Sequence, residues 1–253
     1  MGTSFFKLKT YLPEGFEILC LDYPGKGGIP ADPTLQTVQD VAKRLLEHIR
    51  PYLDDPIPKV SFLGFSLGGL VAYETASWMS REGLRPQLLI AASIYPPQLQ
   101  GRKVAPEKFH LLDDDQFLDR MEKAMDLHTV FFKDPKFRRA FLPTLRKEMK
   151  MAETYRFQRK KERLSCPILA LYGRNDKALF NPTRPIQEYQ KHLGLWRELT
   201  SVGLTLNFAE GGHFFLLDDP IQGMEVVRKA LVGLDDREGI RKNRTEKRRI
   251  GVD

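Results

Sequence analysis

The chain has 253 residues, of which 42% are hydrophobic and 10% aromatic, with a formal net charge of +7. That length supports one sizeable core, and the proportions are ordinary for a globular domain. No apolar run approaches the roughly 18 residues that span a bilayer, and the start, Met1-Gly2-Thr3-Ser4-Phe5-Phe6-Lys7, lacks the apolar stretch of a secretory signal, so a cytoplasmic monomer with no membrane partner is expected.

The positive charge is concentrated at the end of the chain. Residues 237–253 hold Arg237, Arg241, Lys242, Arg244, Lys247, Arg248 and Arg249 against Glu238, Glu246 and Asp253. This segment has no apolar period and reads as a solvated basic tail rather than as a nucleic-acid surface, although it could favour an acidic partner. Residues 1–236 form the domain proper. Cys20 lies in the apolar run Ile18-Leu19-Cys20-Leu21 and Cys166 precedes a proline, so both read as reduced core thiols, with no metal-ligand spacing.

Along the chain, Phe16 to Asp22 is a short apolar run that ends in the glycine-rich loop Tyr23-Pro24-Gly25-Lys26-Gly27-Gly28. The loop matches no phosphate-cradling pattern, so no cofactor is expected there. Asp32-Pro33 reads as N-cap and first residue of a helix in which Val38, Val41, Ala42, Leu45 and Ile49 recur at helical spacing. Lys59 to Leu63 predicts a buried strand, Leu70 to Ala76 a helix, and Gln87 to Ser93 another strand. Strands alternating with helices indicate a parallel sheet covered on both faces.

From about 98 to 161 the alternation stops. This charged, helix-prone stretch carries Leu111, Phe117, Leu118, Met121, Met125, Phe131, Phe132, Phe137, Phe141, Leu142, Leu145 and Met149, too much apolar surface for a linker. It is expected to be an inserted helical lid lining an acyl channel, with Phe131, Phe132 and Tyr155 as candidate substrate contacts. The βα pattern then resumes through a strand at Pro167 to Tyr172, a helix near Thr183 to His192, a strand at Leu204 to Ala209 and a closing helix from about Pro220 to Val232.

Chemistry enters at Gly64-Phe65-Ser66-Leu67-Gly68, placed between a predicted strand and a predicted helix. In the G-x-S-x-G elbow the glycines allow a sharp turn, the hydroxyl projects from the sheet, and the next amide, here that of Leu67, faces the developing oxyanion. A serine hydroxyl is a weak nucleophile near neutral pH, so a base and a group that orients it are required. Gly173-Arg174-Asn175-Asp176 follows one predicted strand and Gly211-Gly212-His213-Phe214-Phe215 follows the next, making Asp176 and His213 the candidate acid and base. The order Ser66, Asp176, His213 is that of α/β-hydrolases. His48, His110, His128 and His192 have no such setting and read as surface or packing residues.

These residues, together with Ala72-Tyr73-Glu74, Glu153-Thr154-Tyr155-Arg156-Phe157, Trp196 followed by Thr200, and Leu12-Pro13 before a strand, resemble the type II thioesterases, stand-alone α/β-hydrolases that accompany peptide, polyketide and some fatty acid synthases. The resemblance spans about 2–232 and implies hydrolysis of acyl or aminoacyl groups from the phosphopantetheine thiol of an acyl or peptidyl carrier protein. It assigns attack to Ser66, proton transfer to His213, imidazole orientation to Asp176 and one oxyanion donor to Leu67. Two features depart from the family. Phe65 stands where the family usually has His, closer to integrated thioesterase domains. The chain also starts within the segment where a first strand and a Pro-x-Ala-Gly-Gly turn supply the second oxyanion amide, so a truncated start or impaired catalysis is expected. A general carboxylesterase or peptidase of the same fold and a non-catalytic carrier-binding protein remain alternatives at this point.

Overall fold

The computed structural model describes residues 2–22, 32–53, 60–100, 108–159 and 162–234. The glycine-rich loop from Tyr23 and the basic tail of 237–253 lie outside the described residues, as do parts of the 98–161 stretch.

Four runs of mainly apolar residues form β1 (Ser61–Phe65), β2 (Leu88–Ala92), β3 (Ile168–Gly173) and β4 (Leu204–Ala209). They pair in parallel in the order β1-β2-β3-β4. Phe65 is in register with Ala92, and Gly173 with Ala209, so the carboxyl ends of the strands share one rim. Every residue of β2 and β3 is buried, as continuous apolar strands of a doubly covered sheet require.

The period of two along each strand sorts the side chains into two cores. Leu88, Ile90, Ala92, Leu169 and Leu171 face Leu8, Phe215, Leu216, Met224, Val227 and Leu231. Leu89, Ala91, Ile168, Ala170 and Tyr172 face the opposite layer, built largely from α1 (Val38–Ile49) and α2 (Leu67–Arg81). The closing helix spans 221–234.

Three segments differ from the sequence reading, one of them the helix expected near Thr183 to His192, which begins at Gln187 and ends at Leu193. The helix expected to start at Asp32-Pro33 starts at Val38, because Thr37 and Asp40 form a reciprocal capping box, with Asp40 N donating to Thr37 Oγ1 at 3.1 Å and Thr37 N to Asp40 Oδ2 at 2.9 Å. Asp32 instead closes a turn by accepting from Thr34 N at 2.8 Å. Residues 16–22 form no strand among the described residues. Phe16 and Ile18 pack against the Leu8 core, while Gly2–Tyr11 winds as a 3-10 helix that buries Leu8.

Between β2 and β3 the chain is helical, with α3 (Asp114–Met125), a 3-10 stretch at Thr129–Lys133 and α4 (Pro135–Thr154). Asp113 caps α3 and Asp134 caps α4, with Pro135 at the first helical position. This insertion has its own apolar centre of Phe117, Leu118, Met121, Phe132 and Leu142, which shares no residue with the two sheet cores. It rejoins the body through Met151 and Tyr155, which belong to the α2 side of the sheet.

Candidate active site

Ser66 follows β1 with φ 52° and ψ −125°, a backbone conformation that costs a non-glycine residue on the order of 1–3 kcal/mol. The turn is held by Ser66 N donating to Ala92 O and Gly69 N to Ser66 O, each at 2.8 Å. It is also sterically closed, because a Cβ at Gly64 would lie 2.2 Å from the Gly68 carbonyl oxygen. The Leu67 amide is the first of α2, a position with no intrahelical acceptor.

Asp176 follows β3 and is fully buried. Its Oδ1 accepts from Ala178 N at 3.0 Å, which fixes the carboxylate and leaves Oδ2 for a second partner. That partner is His213, whose Nδ1–H donates to Asp176 Oδ2 at 2.9 Å, while the Ser66 hydroxyl donates to His213 Nε2 at 3.2 Å. The three side chains that the sequence singles out thus form one hydrogen-bonded chain.

The path to that geometry is indirect. Ser66 leaves β1 and His213 leaves β4, three strand spacings or about 14 Å apart in an ordinary sheet. The segment after β4 therefore folds back across the rim. It crosses the end of β3 so closely that a Cβ at Gly173 would lie 2.2 Å from Gly212 O, and Asn175 N donates to Gly211 O at 2.9 Å. Over the end of β2, the fully buried Ser93 donates its hydroxyl to the His213 carbonyl at 2.9 Å.

Aromatic rings enclose the imidazole. Phe65 meets it edge-on at 5.3 Å and Phe214 at 5.2 Å, the two phenyl rings stack at 5.8 Å, and Phe5 adds a tilted contact with Phe65 at 6.0 Å. From the insertion, Asp126 at the end of α3 approaches the same loop. Its Oδ2 would be 3.2 Å from a Cβ on Gly212, and its Oδ1 pairs with Lys177 Nζ at 2.7 Å.

The three aromatic residues proposed as substrate contacts are placed differently from one another. Tyr155 is 2% exposed and donates its hydroxyl to Glu74 Oε1 at 2.7 Å, so it fastens the insertion to α2; burial and the neighbouring carboxylate raise its pKa. Phe132 is buried within the insertion's own core, where it meets Phe137 edge-on. Phe131 is 60% exposed. Sequence reasoning did not single out Ser93, Asp126 or Lys177, none of which lies in a motif.

Among the described residues, no helix is long and apolar enough to cross a membrane. The comparisons with known proteins agree with the fold. Over 219 residues the chain is 34% identical to "Thioesterase PikA5" of Streptomyces venezuelae, covering 86% of this chain and 72% of that one. Over 231 residues it is 26% identical to "Gramicidin S biosynthesis protein GrsT" of Aneurinibacillus migulanus, covering 91% and 84%. The solved type II thioesterase BorB from the borrelidin biosynthetic cluster superposes with a TM-score of 0.74 at 26% identity, covering 91% of this chain and 87% of the other. A family model described as "Thioesterase domain" matches residues 1–230, and the chain belongs to that family: it is a thioester hydrolase with an α/β-hydrolase fold.

Proposed function

We propose that the protein releases acyl or aminoacyl groups from the phosphopantetheine arm of an acyl or peptidyl carrier protein by way of an acyl-enzyme on Ser66. The observation that carries this reading is the imidazole of His213 bonded on one side to Asp176 and on the other to Ser66. In the first half-reaction the Ser66 hydroxyl oxygen attacks the thioester carbonyl as its proton passes to His213 Nε2. The tetrahedral oxyanion faces the Leu67 amide, and such a donor is typically worth about 2.7–4 kcal/mol to the transition state. The C–S bond breaks and the imidazolium returns its proton to the departing sulfur.

In the second half-reaction His213 takes a proton from water, which attacks the Ser66 ester. The ester C–O bond breaks, Ser66 regains its proton and a carboxylic acid leaves. Asp176 holds the imidazole in the tautomer with hydrogen on Nδ1 and stabilises the cation formed in each half. The helical insertion is the lid, and the exposed Phe131 is its remaining candidate for acyl contact. The names of the relatives, which place them in gramicidin S and borrelidin biosynthesis, support a carrier-bound substrate; a monomer working in the cytoplasm is part of the same proposal.

The test uses an acyl group loaded on a phosphopantetheinylated carrier, the matching oxygen ester and a fluorophosphonate probe. The expected result is faster hydrolysis of the carrier thioester than of the oxygen ester, with turnover and labelling both lost in Ser66→Ala. Undiminished turnover in Ser66→Ala would sink the serine mechanism. Equal or better hydrolysis of the oxygen ester would favour a general esterase, and absence of labelling in the native protein a non-catalytic carrier binder.

A further inference from the structure

Resting on the reading of Ser66, Asp176 and His213 as the reacting set, we propose that the segment Ser93-Ile94-Tyr95, at the end of β2, is the element that positions all three, with Ser93 as its principal positioning residue. β2 lies between β1, which leads to Ser66, and β3, which leads to Asp176, and the returning His213 segment crosses above it.

Each residue of the segment touches a different part of the site. Ser93 N donates to Leu171 O at 2.9 Å, and its hydroxyl donates to the His213 carbonyl at 2.9 Å. The Ile94 side chain presses on the elbow helix, where a Cβ added to Gly69 would lie 2.6 Å from Ile94 Cγ2. The Tyr95 hydroxyl donates to Leu179 O, in the loop whose Leu179 N donates to Asp176 O at 3.1 Å. The segment is itself anchored from β3. Tyr172, fully buried, donates its hydroxyl to Ile94 O at 3.1 Å and accepts from Trp196 Nε1 at 3.0 Å.

Ser93 is one of three described non-glycine residues with positive φ, at 50°, and another is Ser66 itself. Strain of this kind persists only where surrounding contacts over-determine it. A glycine would be easier at this position but could not hold the His213 carbonyl. That carbonyl belongs to the residue whose imidazole must reach from the β4 side to the β1 side, so a small backbone shift there moves Nε2 away from Ser66.

The experiment compares Ser93→Ala and Ser93→Gly in the full chain, reading kcat, KM, fluorophosphonate labelling rate and urea unfolding. Both variants lose the hydroxyl, but only alanine keeps the unfavourable φ, so Ser93→Gly is expected to be the more stable of the two. If Ser93 positions His213, kcat and labelling rate fall by a similar factor in both, roughly ten- to a hundredfold, with KM changed little. Wild-type kcat in a folded Ser93→Gly overturns the proposal, as does activity that tracks stability rather than the hydroxyl. Should neither variant fold, Tyr95→Phe carries the same test, since loss of its bond to Leu179 O is expected to lower kcat with KM unchanged, and an unchanged kcat there overturns the proposal. Failure of the underlying mechanism is read separately, as turnover that survives Ser66→Ala.

Discussion

Asp126 of the insertion and Lys177 of the sheet rim close an ion pair at 2.7 Å, and each stands beside the hydrogen-bonded set of Ser66, His213 and Asp176: Lys177 follows Asp176, and the Asp126 carboxylate lies against Gly212, the residue before His213. About half of each side chain is exposed, so solvent screens the attraction and the pair contributes no more than about 1 kcal/mol. Its importance lies in where it joins the two bodies.

Lys177→Met, Asp126→Asn and the double variant are accordingly expected to lose less than about 1 kcal/mol of stability each. Because the two side chains share one interaction, the double variant is expected to differ from wild type by no more than the larger single change. Urea unfolding together with kcat/KM at low and high salt checks this. Fully additive losses would show that the two residues act independently.

At the elbow, Gly64→Ala forces a Cβ to within 2.2 Å of a backbone oxygen that cannot move without distorting the turn at Ser66. The expected loss is more than about 2 kcal/mol, with little active protein recovered. Gly194→Ala is the control, because its Cβ would meet nothing within 4 Å and its φ is −60°. A stability change of less than about 1 kcal/mol is expected there. Thermal melts of the two variants side by side would decide the matter, and equal behaviour would contradict the steric account.

Tyr155→Phe removes a hydrogen bond to the buried Glu74 carboxylate and is expected to cost about 1–3 kcal/mol without altering the ranking of acyl substrates. Phe131→Ala should do the reverse, leaving stability nearly unchanged because the ring is 60% exposed. Denaturation curves and a panel of acyl chain lengths separate the two effects. A changed acyl ranking in Tyr155→Phe at unchanged stability would return that residue to the substrate site.

Alkali should unfold the protein earlier than an ordinary domain. Burial pushes the Cys166 thiol from 9.0 up to about 12 and the Tyr73 phenol from 10.0 up to about 12, and it raises Tyr95, Tyr155 and Tyr172 as well. With the folded values above the unfolded ones, this contribution is complete below pH 9. It shrinks as the unfolded chain loses protons first, at about 1.4 kcal/mol per pH unit for each such group. Urea midpoints should therefore be flat from pH 7 to 8.5 and fall steeply beyond pH 9.5. Cys166→Ala should move the onset upward, and a midpoint independent of pH up to 11 would count against the burial of these groups.

The hydrogen-bonded set was legible in the sequence because each member lies in a glycine-containing turn soon after an apolar strand run, Ser66 between Gly64 and Gly68, Asp176 three residues after Gly173 and His213 after Gly211-Gly212, a local pattern that requires no knowledge of the fold. The sheet was legible for a similar reason, since β2 and β3 are continuous apolar runs bounded by proline or turn residues. Ser93 was not, because its partner is 120 positions away and a hydroxyl donating to a backbone carbonyl leaves no trace in residue type. Tyr155 reads as an acyl contact until Glu74 is found facing it, and only the docking of α4 on α2 brings the two together. The start of α1 was misplaced because Asp32-Pro33 and Thr37 with Asp40 both satisfy capping rules, and the reciprocal pair prevails.

The separate apolar centre of the insertion has a kinetic consequence. A cluster built around Phe117, Leu118, Met121, Phe132 and Leu142 is far smaller than either layer beside the sheet, so it can come apart while β2 and β3 stay intact. Amide protons of α3 should therefore exchange with deuterium well before those of Leu89 to Ala91. The boundary between fast and slow exchange should fall near Met151 to Tyr155, where the insertion gives up its own cluster and joins the larger layer beside the sheet.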